Sequence, residues 1–368
     1  MKVSYSYLSE QFGNPEPIIN DIRKLISSGD FTLGKALEQF EEKFSEICHT
    51  KYAVGVGSGT DALRLSLIAL GIGPGDEVIT TPLTFYATVG AIVTVGATPV
   101  FVDVAEDYNI DADLVEKSIT SKTKAILPVH WHGCPADMHK LLSITKKHNL
   151  FIVEDACMAM GAEISGKRIG SFGDTGCFSL HPLKPVNVWG DGGVITTNSL
   201  EIRDKLLLLR NHGLKNRDEC EVFSFNSRLD SLQAIVGNHL IREFEWIIDS
   251  KIQNAAFYDE EFIKIPEIIV PIKDNKVKSV YHNYVIMVKR RDELLAFLRN
   301  NDIDAKVHYP IPLHLQKASI FLNHKEGDFP NAEHQCKNVI SLPVHQHLSR
   351  EQKELVVTKV KEFYYASD

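Results

Sequence analysis

The sequence predicts an α/β protein: a three-layer sandwich in which helices cover both faces of a mostly parallel mixed sheet, followed by a smaller C-terminal α+β domain. Between about Tyr52 and Asn198, short runs of β-branched and apolar residues alternate with helical stretches. The strand-like runs are apolar almost throughout, as expected for strands that are buried on both faces. After Arg228 the alternation stops, and a long helical run leads into a less regular segment rich in His and Pro.

The predicted elements follow in chain order. In the first region the strands are KYAVGVG, DEVITT, TPVFVDV, AILPVH, LFIVEDA, TGCFSL and GGVITTN, and the helices are TDALRLSLIALGI, FYATVGAIVTVG and ADMHKLLSITKKHN. The run SRLDSLQAIVGNHLIREFEWIIDSKIQNAAFYDEEFIK is predicted to be a long helical connector. The smaller lobe has one strand, YHNYVIMVKR, and two helices, RDELLAFLRNN and REQKELVVTKVKEFYYAS. We therefore expect a large domain over residues 1–245 and a small one over 246–368, and allow the first residues to pack on the small domain.

Composition excludes several classes of protein. The 368 residues are 44% hydrophobic and 24% charged, which is typical of a globular protein. A net charge of −8, without long runs of like charge, gives no indication of a nucleic-acid or membrane partner. No stretch approaches the roughly 18 apolar residues of a membrane span, and the N-terminus lacks the core of a signal peptide. With six cysteines and no CxxC spacing, we expect a cytoplasmic protein with reduced thiols.

A glycine-rich turn, GVGSGTDAL, follows the first strand and precedes a helix. Glycines allow close approach to an anion, and the free N–H groups of a helix start favour a phosphate there. A dinucleotide site is not favoured, because the third glycine of that fingerprint would fall at Thr60 and no acid ends a second strand at the required place. A plain strand-to-helix turn stays open as an alternative.

Two acids, Glu154 and Asp155, end an apolar strand. A carboxylate there is costly to bury unless a cation or a donor pairs with it. The protonated ring nitrogen of a cofactor would be such a partner, and capping of the next helix is the alternative.

Lys184 stands between two prolines in SLHPLKPVNVWGDGGV, in a loop of constrained backbone. Lysine forms Schiff bases with carbonyl compounds, and it works as a base when burial lowers its pKa. A phosphate-binding helix start, an acid for a ring nitrogen and a loop lysine together are what pyridoxal phosphate requires.

These motifs resemble those of the DegT-type sugar aminotransferases, fold type I pyridoxal-phosphate enzymes that aminate keto-sugars. The resemblance covers nearly the whole chain through FTLGKALEQFEEKF, GVGSGTDALRLSLIALGIGPGDEVITTPLTFYAT, GATPVFVDV, PVHWHGCPADM, IVEDA, GSFGDTGCFSLHPLK, GDGGVITTN, LRNHG, HYPIPLHLQ and SLPVHQHL. It implies that Lys184 forms the Schiff base and moves protons, and that Asp155 pairs with the pyridine nitrogen.

Further cofactor contacts are implied by the same resemblance. They are Gly59, Thr60 and the backbone of Asp61 at the phosphate, Phe85 stacked on the ring, Met158 near the phenolic oxygen, Ser179 at the phosphate, and Asn226 reaching the phosphate of a neighbouring subunit. The last contact implies a homodimer with shared active sites. Met158 departs from the family, which commonly has Gln or His there, and a thioether cannot donate a hydrogen bond. Asp191 stands where many relatives have Glu.

The reaction implied is amino transfer from L-glutamate to a keto-sugar, with pyridoxamine phosphate as the carrier between two half-reactions. The acceptor is a nucleotide-linked keto-deoxysugar or a free keto-sugar acid such as 8-keto-3-deoxyoctulosonate, for surface polysaccharide, lipopolysaccharide or glycoside biosynthesis. Candidate substrate contacts are His181, Trp189, His308, Tyr309 and His314. Four basic residues, Lys35, Arg210, Arg228 and Lys306, are candidates to meet a diphosphate or a carboxylate.

Three alternatives accompany this interpretation. A sugar dehydratase of the same fold would have histidine in place of Lys184, and a sugar-sensing regulatory protein would bind without turnover. A zinc site at His130, His132 and Cys134 would place all three on one face of an extended segment, but zinc normally needs a fourth ligand. We therefore expect no metal.

Overall fold

The computed structural model describes residues 1–365, so the last two residues of the helix predicted at the C-terminus lie outside the described residues. The helices are α1 Leu8–Gln11, α2 Glu16–Ser28, α3 Lys35–Ile47, α4 Gly59–Ala69, α5 Tyr86–Thr94, α6 Ala112–Val115, α7 Met138–His148, α8 Leu200–Leu209, α9 Ser231–Leu240, α10 Phe244–Phe262, α11 Arg291–Asn300, α12 Pro330–Asn338 and α13 Arg350–Tyr365. The strands are β1 Tyr52–Val56, β2 Glu77–Thr80, β3 Thr98–Phe101, β4 Thr123–Ile126, β5 Phe151–Asp155, β6 Glu163–Ile164, β7 Lys167–Arg168, β8 Thr175–Ser179, β9 Gly193–Thr197, β10 Ile268–Ile269, β11 Val277–Lys278, β12 Tyr284–Val288 and β13 Val339–Leu342. Over residues 1–365, no helix combines the length and apolarity needed to cross a membrane.

The main sheet has seven strands in the order β1-β9-β8-β5-β4-β2-β3. Strands β3, β2, β4, β5 and β8 pair in parallel, and β9 runs antiparallel to both β8 and β1. The predicted mostly parallel mixed sheet is therefore confirmed. Because β5 and β8 are parallel neighbours, their last residues, Asp155 and Ser179, come to the same edge of the sheet.

Helices cover both faces of this sheet, as predicted for a three-layer sandwich. Along β5 the side chains alternate: Ile152 joins an apolar cluster with α3, α7 and α9, whereas Val153 joins a second cluster with α4, α5 and α8. The same alternation separates Val194 from Ile195 in β9. Burial on both faces explains why the strands are apolar throughout.

The predicted single connector is broken into two helices. Asp230 begins α9 with a capping box, in which its N–H donates to the Gln233 side chain, and a 3-10 turn at residues 241–243 separates α9 from α10. Helix α10 then packs Phe244 in the large core and Tyr258 in a second core. The boundary at residue 245 stays a prediction, since it falls within the first turn of a helix that belongs to both cores.

The second core lies between helices α10, α11 and α13 and a small antiparallel sheet, β10-β12-β13. The predicted strand and both predicted helices of this lobe are present, whereas α12 and β13 were not predicted. Strand β13, VISL, is too short to show a periodicity. Val3 belongs to the same core, and its N–H donates to the Asp302 carbonyl.

Candidate active site

A cavity of about 350 Å³ opens at the carboxyl ends of the parallel strands, where residues of the second lobe close one side of it. This volume lies in the range of small-molecule sites, roughly 300–1,000 Å³. The structure brings together ten of the predicted site residues along its wall: Gly59, Thr60, Phe85, Asp155, Met158, Ser179, His181, Lys184, His308 and Tyr309. Asp191 also lines the wall.

Lys184 projects from the tight loop that follows β8. Its N–H donates to the His181 carbonyl over 2.8 Å, and the Tyr7 hydroxyl donates to the Leu183 carbonyl over 3.2 Å, so two contacts hold the loop. The Nζ atom lies 3.4 Å from Nε2 of His282. Burial lowers the pKa of the Lys184 amine, against the opposing pull of Cys157 and Asp155. The result is an amine that loses its proton more readily than an exposed lysine does.

The two acids at the end of β5 point to opposite sides of the sheet. Glu154, fully buried, accepts hydrogen bonds from the N–H groups of Gly170, Phe172 and Gly173 and faces His130. Its role is therefore to hold the 170–173 turn. Asp155 instead lies on the cavity wall.

The Asp155 carboxylate is fixed by two donors. Its Oδ2 accepts from the Thr88 hydroxyl over 2.7 Å, and its Oδ1 accepts from the Cys157 N–H over 3.2 Å. The Thr88 hydroxyl in turn accepts from that of Thr84, 2.7 Å away. The chain thus presents a buried carboxylate of fixed orientation to whatever cation enters the cavity.

The start of helix α4 forms another part of the cavity wall. Gly59 and Thr60 are its first two residues, whose N–H groups have no partner within a helix. A Cβ on Gly59 would lie 2.7 Å from the Ser179 Cβ and 3.2 Å from the Cys157 Sγ, so glycine is required by close packing here. The two free N–H groups, the helix dipole and the Ser179 hydroxyl suit a phosphate.

Aromatic rings surround the mouth of the cavity. The rings of Phe85 and Tyr309 are 6.0 Å apart and those of Tyr86 and Tyr309 are 6.1 Å apart. Phe85 is 45% exposed, and Trp131 packs behind Tyr309 at 5.5 Å. These rings give the cavity one apolar wall that is open to a planar ligand.

Comparison with known proteins agrees with this geometry. The sequence model of the DegT/DnrJ/EryC1/StrS aminotransferase family matches residues 14–361. The chain belongs to this family. It is therefore an aminotransferase that uses pyridoxal phosphate and acts on a sugar, as the resemblance implied.

Several relatives are similar over nearly their whole length. A "Pleiotropic regulatory protein" of Geobacillus stearothermophilus is 39% identical over 99% of both chains. The dTDP-3-amino-3,4,6-trideoxy-alpha-D-glucose transaminase of Streptomyces venezuelae is 41% identical over 93% of this chain and 90% of its own. The UDP-N-acetyl-3-dehydro-alpha-D-glucosamine 3-aminotransferase of Acidithiobacillus ferrooxidans is 39% identical over 94% of this chain and 93% of its own. The crystal structure of S. venezuelae DesV superposes with a TM-score of 0.96 at 39% identity, over 99% of this chain and 98% of the other.

The residues of this aminotransferase fit its cofactor. The helix start with a packed glycine suits the phosphate, the fixed Asp155 carboxylate suits a protonated ring nitrogen, and the Lys184 amine in the same cavity suits a carbonyl carbon. Lysine at position 184 also argues against the dehydratase alternative, in which histidine replaces it.

Four of the predicted contacts do not line the cavity: Asp61, Trp189, His314 and Asn226. The N–H of Asp61 is already used, because it donates to the Ser58 hydroxyl that caps α4. Trp189 is 39% exposed and packs edge-on against Phe12 rather than along the cavity. His314 is buried behind the wall, where its Nε2 lies 3.0 Å from Glu333. Neither Trp189 nor His314 therefore contacts the cavity of this chain.

Asn226 lies on the exposed surface, where its backbone pairs with Asn211. A residue in that position cannot serve the cavity of its own chain. The contact with the phosphate of a neighbouring subunit stays a prediction.

Sequence reasoning missed several polar residues of the cavity wall, among them Thr84, Thr88, His282 and Asn283. Thr84 and Thr88 are four residues apart in PLTFYAT, the spacing of about one helical turn. This spacing indicates that the two hydroxyls share a contact, but their partner, Asp155, can be identified only from the structure. The other two, His282 and Asn283, fall within the predicted strand YHNYVIMVKR but lie just before β12 in the structure.

The segment considered for zinc adopts a different conformation. His132 has φ 55° within a 3-10 turn, so the three side chains do not share an extended face. His130 has both ring nitrogens engaged, with Glu154 and with the Ala136 N–H. Over residues 1–365 we find no group of three potential metal ligands.

Proposed function

We propose that this enzyme transfers the amino group of L-glutamate to a nucleotide-linked keto-sugar, and that the acceptor carbon is C3. The observation that carries amino transfer is that Lys184, the Asp155 carboxylate and the start of α4 line the same cavity. The nucleotide link and the carbon are supported by two relatives, whose names describe 3-amino products or 3-dehydro substrates linked to dTDP or UDP. The six free cysteines support a reducing, cytoplasmic setting.

When bound, pyridoxal phosphate supplies the electrophilic carbon and the electron sink that amino transfer requires. The chain supplies the proton chemistry around it. Because burial lowers the pKa of its amine, Lys184 would act as the general base: its Nζ would accept the α proton of the amino donor and would later give a proton back to the reacting groups. Asp155, held by Thr88 and the Cys157 N–H, directs its carboxyl group into the cavity.

The remaining residues bind and exclude water. The N–H groups of Gly59 and Thr60 and the Ser179 hydroxyl hold the phosphate. The aromatic mouth around Phe85 and Tyr309 covers the reacting atoms on the solvent side. His181 and His308 stand on the cavity wall and are placed to donate or accept hydrogen bonds with sugar hydroxyls.

We infer that the enzyme is a homodimer with shared active sites. Support comes from Asn226, which faces away from its own cavity, and from three apolar residues exposed near it, Val222, Phe223 and Phe225. Phe223 is 98% exposed in the single chain, and so large an apolar surface is usually covered by a partner.

A spectroscopic experiment tests amino transfer. The protein reconstituted with pyridoxal phosphate should show a visible absorption band that glutamate bleaches and 2-oxoglutarate restores. The Lys184→Ala variant should show neither the band nor transfer to a sugar. A Lys184→Ala protein that aminates sugars at the wild-type rate contradicts the assignment.

Complementation tests the shared site. Lys184→Ala and Asn226→Ala chains, each inactive alone, should recover activity when they are mixed, because one site in the hybrid contains both native residues. The matched control is Asn216→Ala, an exposed asparagine of the same region whose side chain bonds only to its near neighbours Asp218 and Glu219, and this variant should be active on its own. Failure of the mixture with retained dimers would refute sharing.

A substrate panel tests the acceptor. We expect glutamate-dependent amination of a dTDP- or UDP-linked 3-ketohexose, and slower reaction of the 4-keto isomer. Preference for 8-keto-3-deoxyoctulosonate would overturn the nucleotide link while leaving amino transfer intact.

A further inference from the structure

A second lysine lies buried behind the first. Lys251, in the middle of α10, is 1% exposed, and its Nζ donates only a long hydrogen bond, 3.5 Å, to the His282 carbonyl. The same atom lies 5.8 Å from the centre of the Tyr7 ring. A buried ammonium without a carboxylate partner is costly, so a lysine in this position needs a functional reason.

Lys251 lines a small inner chamber of about 60 Å³. The other titratable residues that face it come from four separate segments: Tyr5, Tyr7, His282, His308 and His345. Among the described residues that line the chamber there is no carboxylate. The carboxylates that act on this group, Glu10 and Asp304, lie beyond it and act on His345 and Tyr5.

The chamber adjoins the active-site cavity. The two share Leu183, His282, Asn283 and His308 as walls. The His282 residue joins the two lysines directly: its ring Nε2 lies 3.4 Å from the Lys184 Nζ, and its carbonyl accepts from the Lys251 Nζ. Both amines therefore contact His282, Lys184 at its ring and Lys251 at its backbone carbonyl.

We propose that Lys251 is a positioning residue for the reaction: across His282 its positive charge opposes protonation of Lys184 and so keeps that amine available as a base. The inference rests on the proposed function, in which Lys184 transfers protons. Two like charges in one desolvated region do not both persist, so the pair shares a single proton over part of the pH range.

The charges of the site agree with this arrangement. Burial first, and then the charge of Lys184, lower the pKa of Lys251 to about 7. Burial, followed by Lys184 and Lys251, lowers the pKa of His282, so its ring stays neutral and accepts a hydrogen bond from the Lys184 amine. Cys157 and Asp155 act in the opposite direction on Lys184, because they favour its charged form.

The test is the pH titration of the visible band of the cofactor bound to Lys184. In Lys251→Met, which keeps the length of the side chain and removes its charge, we expect the midpoint to rise by about 1 pH unit, the effect of one close like charge. In Lys251→Arg, where the charge is permanent, we expect the midpoint to fall. The matched control is Lys353→Met, which removes a lysine that contacts the same α10 through Asn254 and should leave the midpoint unchanged.

The outcomes separate this inference from the proposed function. Absence of a visible band in the wild type defeats the proposed function itself. A band in all variants with the same midpoint, or equal shifts in Lys251→Met and Lys251→Arg, overturns the role of the Lys251 charge. If Lys251→Met does not fold, Lys251→Arg decides alone, and a midpoint that does not fall overturns the proposal.

Discussion

Gly59 offers the sharpest test of the phosphate site, because a single methyl group fills the space between α4 and β8. In Gly59→Ala the new Cβ would lie 2.7 Å from the Ser179 Cβ, whereas ordinary van der Waals contact begins at 3.4 Å. The helix start must therefore retreat by about 0.7 Å, or β8 must move, since the opposing atoms belong to a strand and not to a flexible side-chain end.

Overpacking of this kind costs about 1–3 kcal/mol. The displacement acts on the two N–H groups that hold the phosphate, so we expect most of the cost to appear as lost cofactor affinity. At about 1.4 kcal/mol for each tenfold change, the dissociation constant should rise by roughly 10- to 100-fold.

The assay is an equilibrium titration of the cofactor-free protein with pyridoxal phosphate, followed by visible absorbance, with urea unfolding measured in parallel. Gly90→Ala is the matched control, because a Cβ there meets nothing within 4 Å of the described chain and gains helix propensity. Wild-type cofactor affinity in Gly59→Ala would refute the packed phosphate site, whatever its stability.

Three further predictions concern the residues behind the site. In Thr88→Val, Asp155 and Thr84 each lose a buried hydrogen bond, so the free energy of unfolding measured in urea should fall by about 1–3 kcal/mol. Thr94→Val removes an exposed hydroxyl from the same helix and should change the free energy of unfolding little. Glu154→Gln places an amide N–H₂ group against backbone donors, so it should lower the unfolding free energy by about 3 kcal/mol. Asp155→Asn should instead abolish amino transfer and leave the fold intact. The reverse pattern would contradict a structural role for Glu154 and a catalytic role for Asp155. Burial is the main cause that lowers the pKa of His345 to about 4, so as pH falls the unfolded chain binds this proton before the folded chain does. His345 should therefore contribute about 3 kcal/mol to the fall in unfolding free energy between pH 6.5 and 4, alongside other buried histidines such as His308. The fall should be smaller by that amount in His345→Gln and unchanged in His334→Gln, at an exposed position.

The local pattern of the sequence predicted the architecture of the large domain correctly. Alternating apolar strands and helices fixed the layers and the parallel sheet, because strands buried on both faces must be apolar throughout. The local pattern did not predict two features of the structure. One is the break after α9, which depends on a cap at Asp230 and a 3-10 turn. The other is β13, which is a strand only because it pairs with β12, a segment distant in the sequence.

By itself the sequence determined which chemistry the protein performs, since the turn at Gly59, the acid Asp155 and the loop lysine Lys184 are the residue types that this cofactor requires. Only the tertiary structure decided which neighbours adjust those groups. In the structure Glu154 and Asp155 lie on opposite sides of the sheet, because successive strand residues face opposite sides, and His314 and Trp189 lie outside the cavity. It also brought Lys251, His282 and Lys184 together from three separate segments, and no local pattern records such a meeting, because burial and the long-range packing of the two lobes create it.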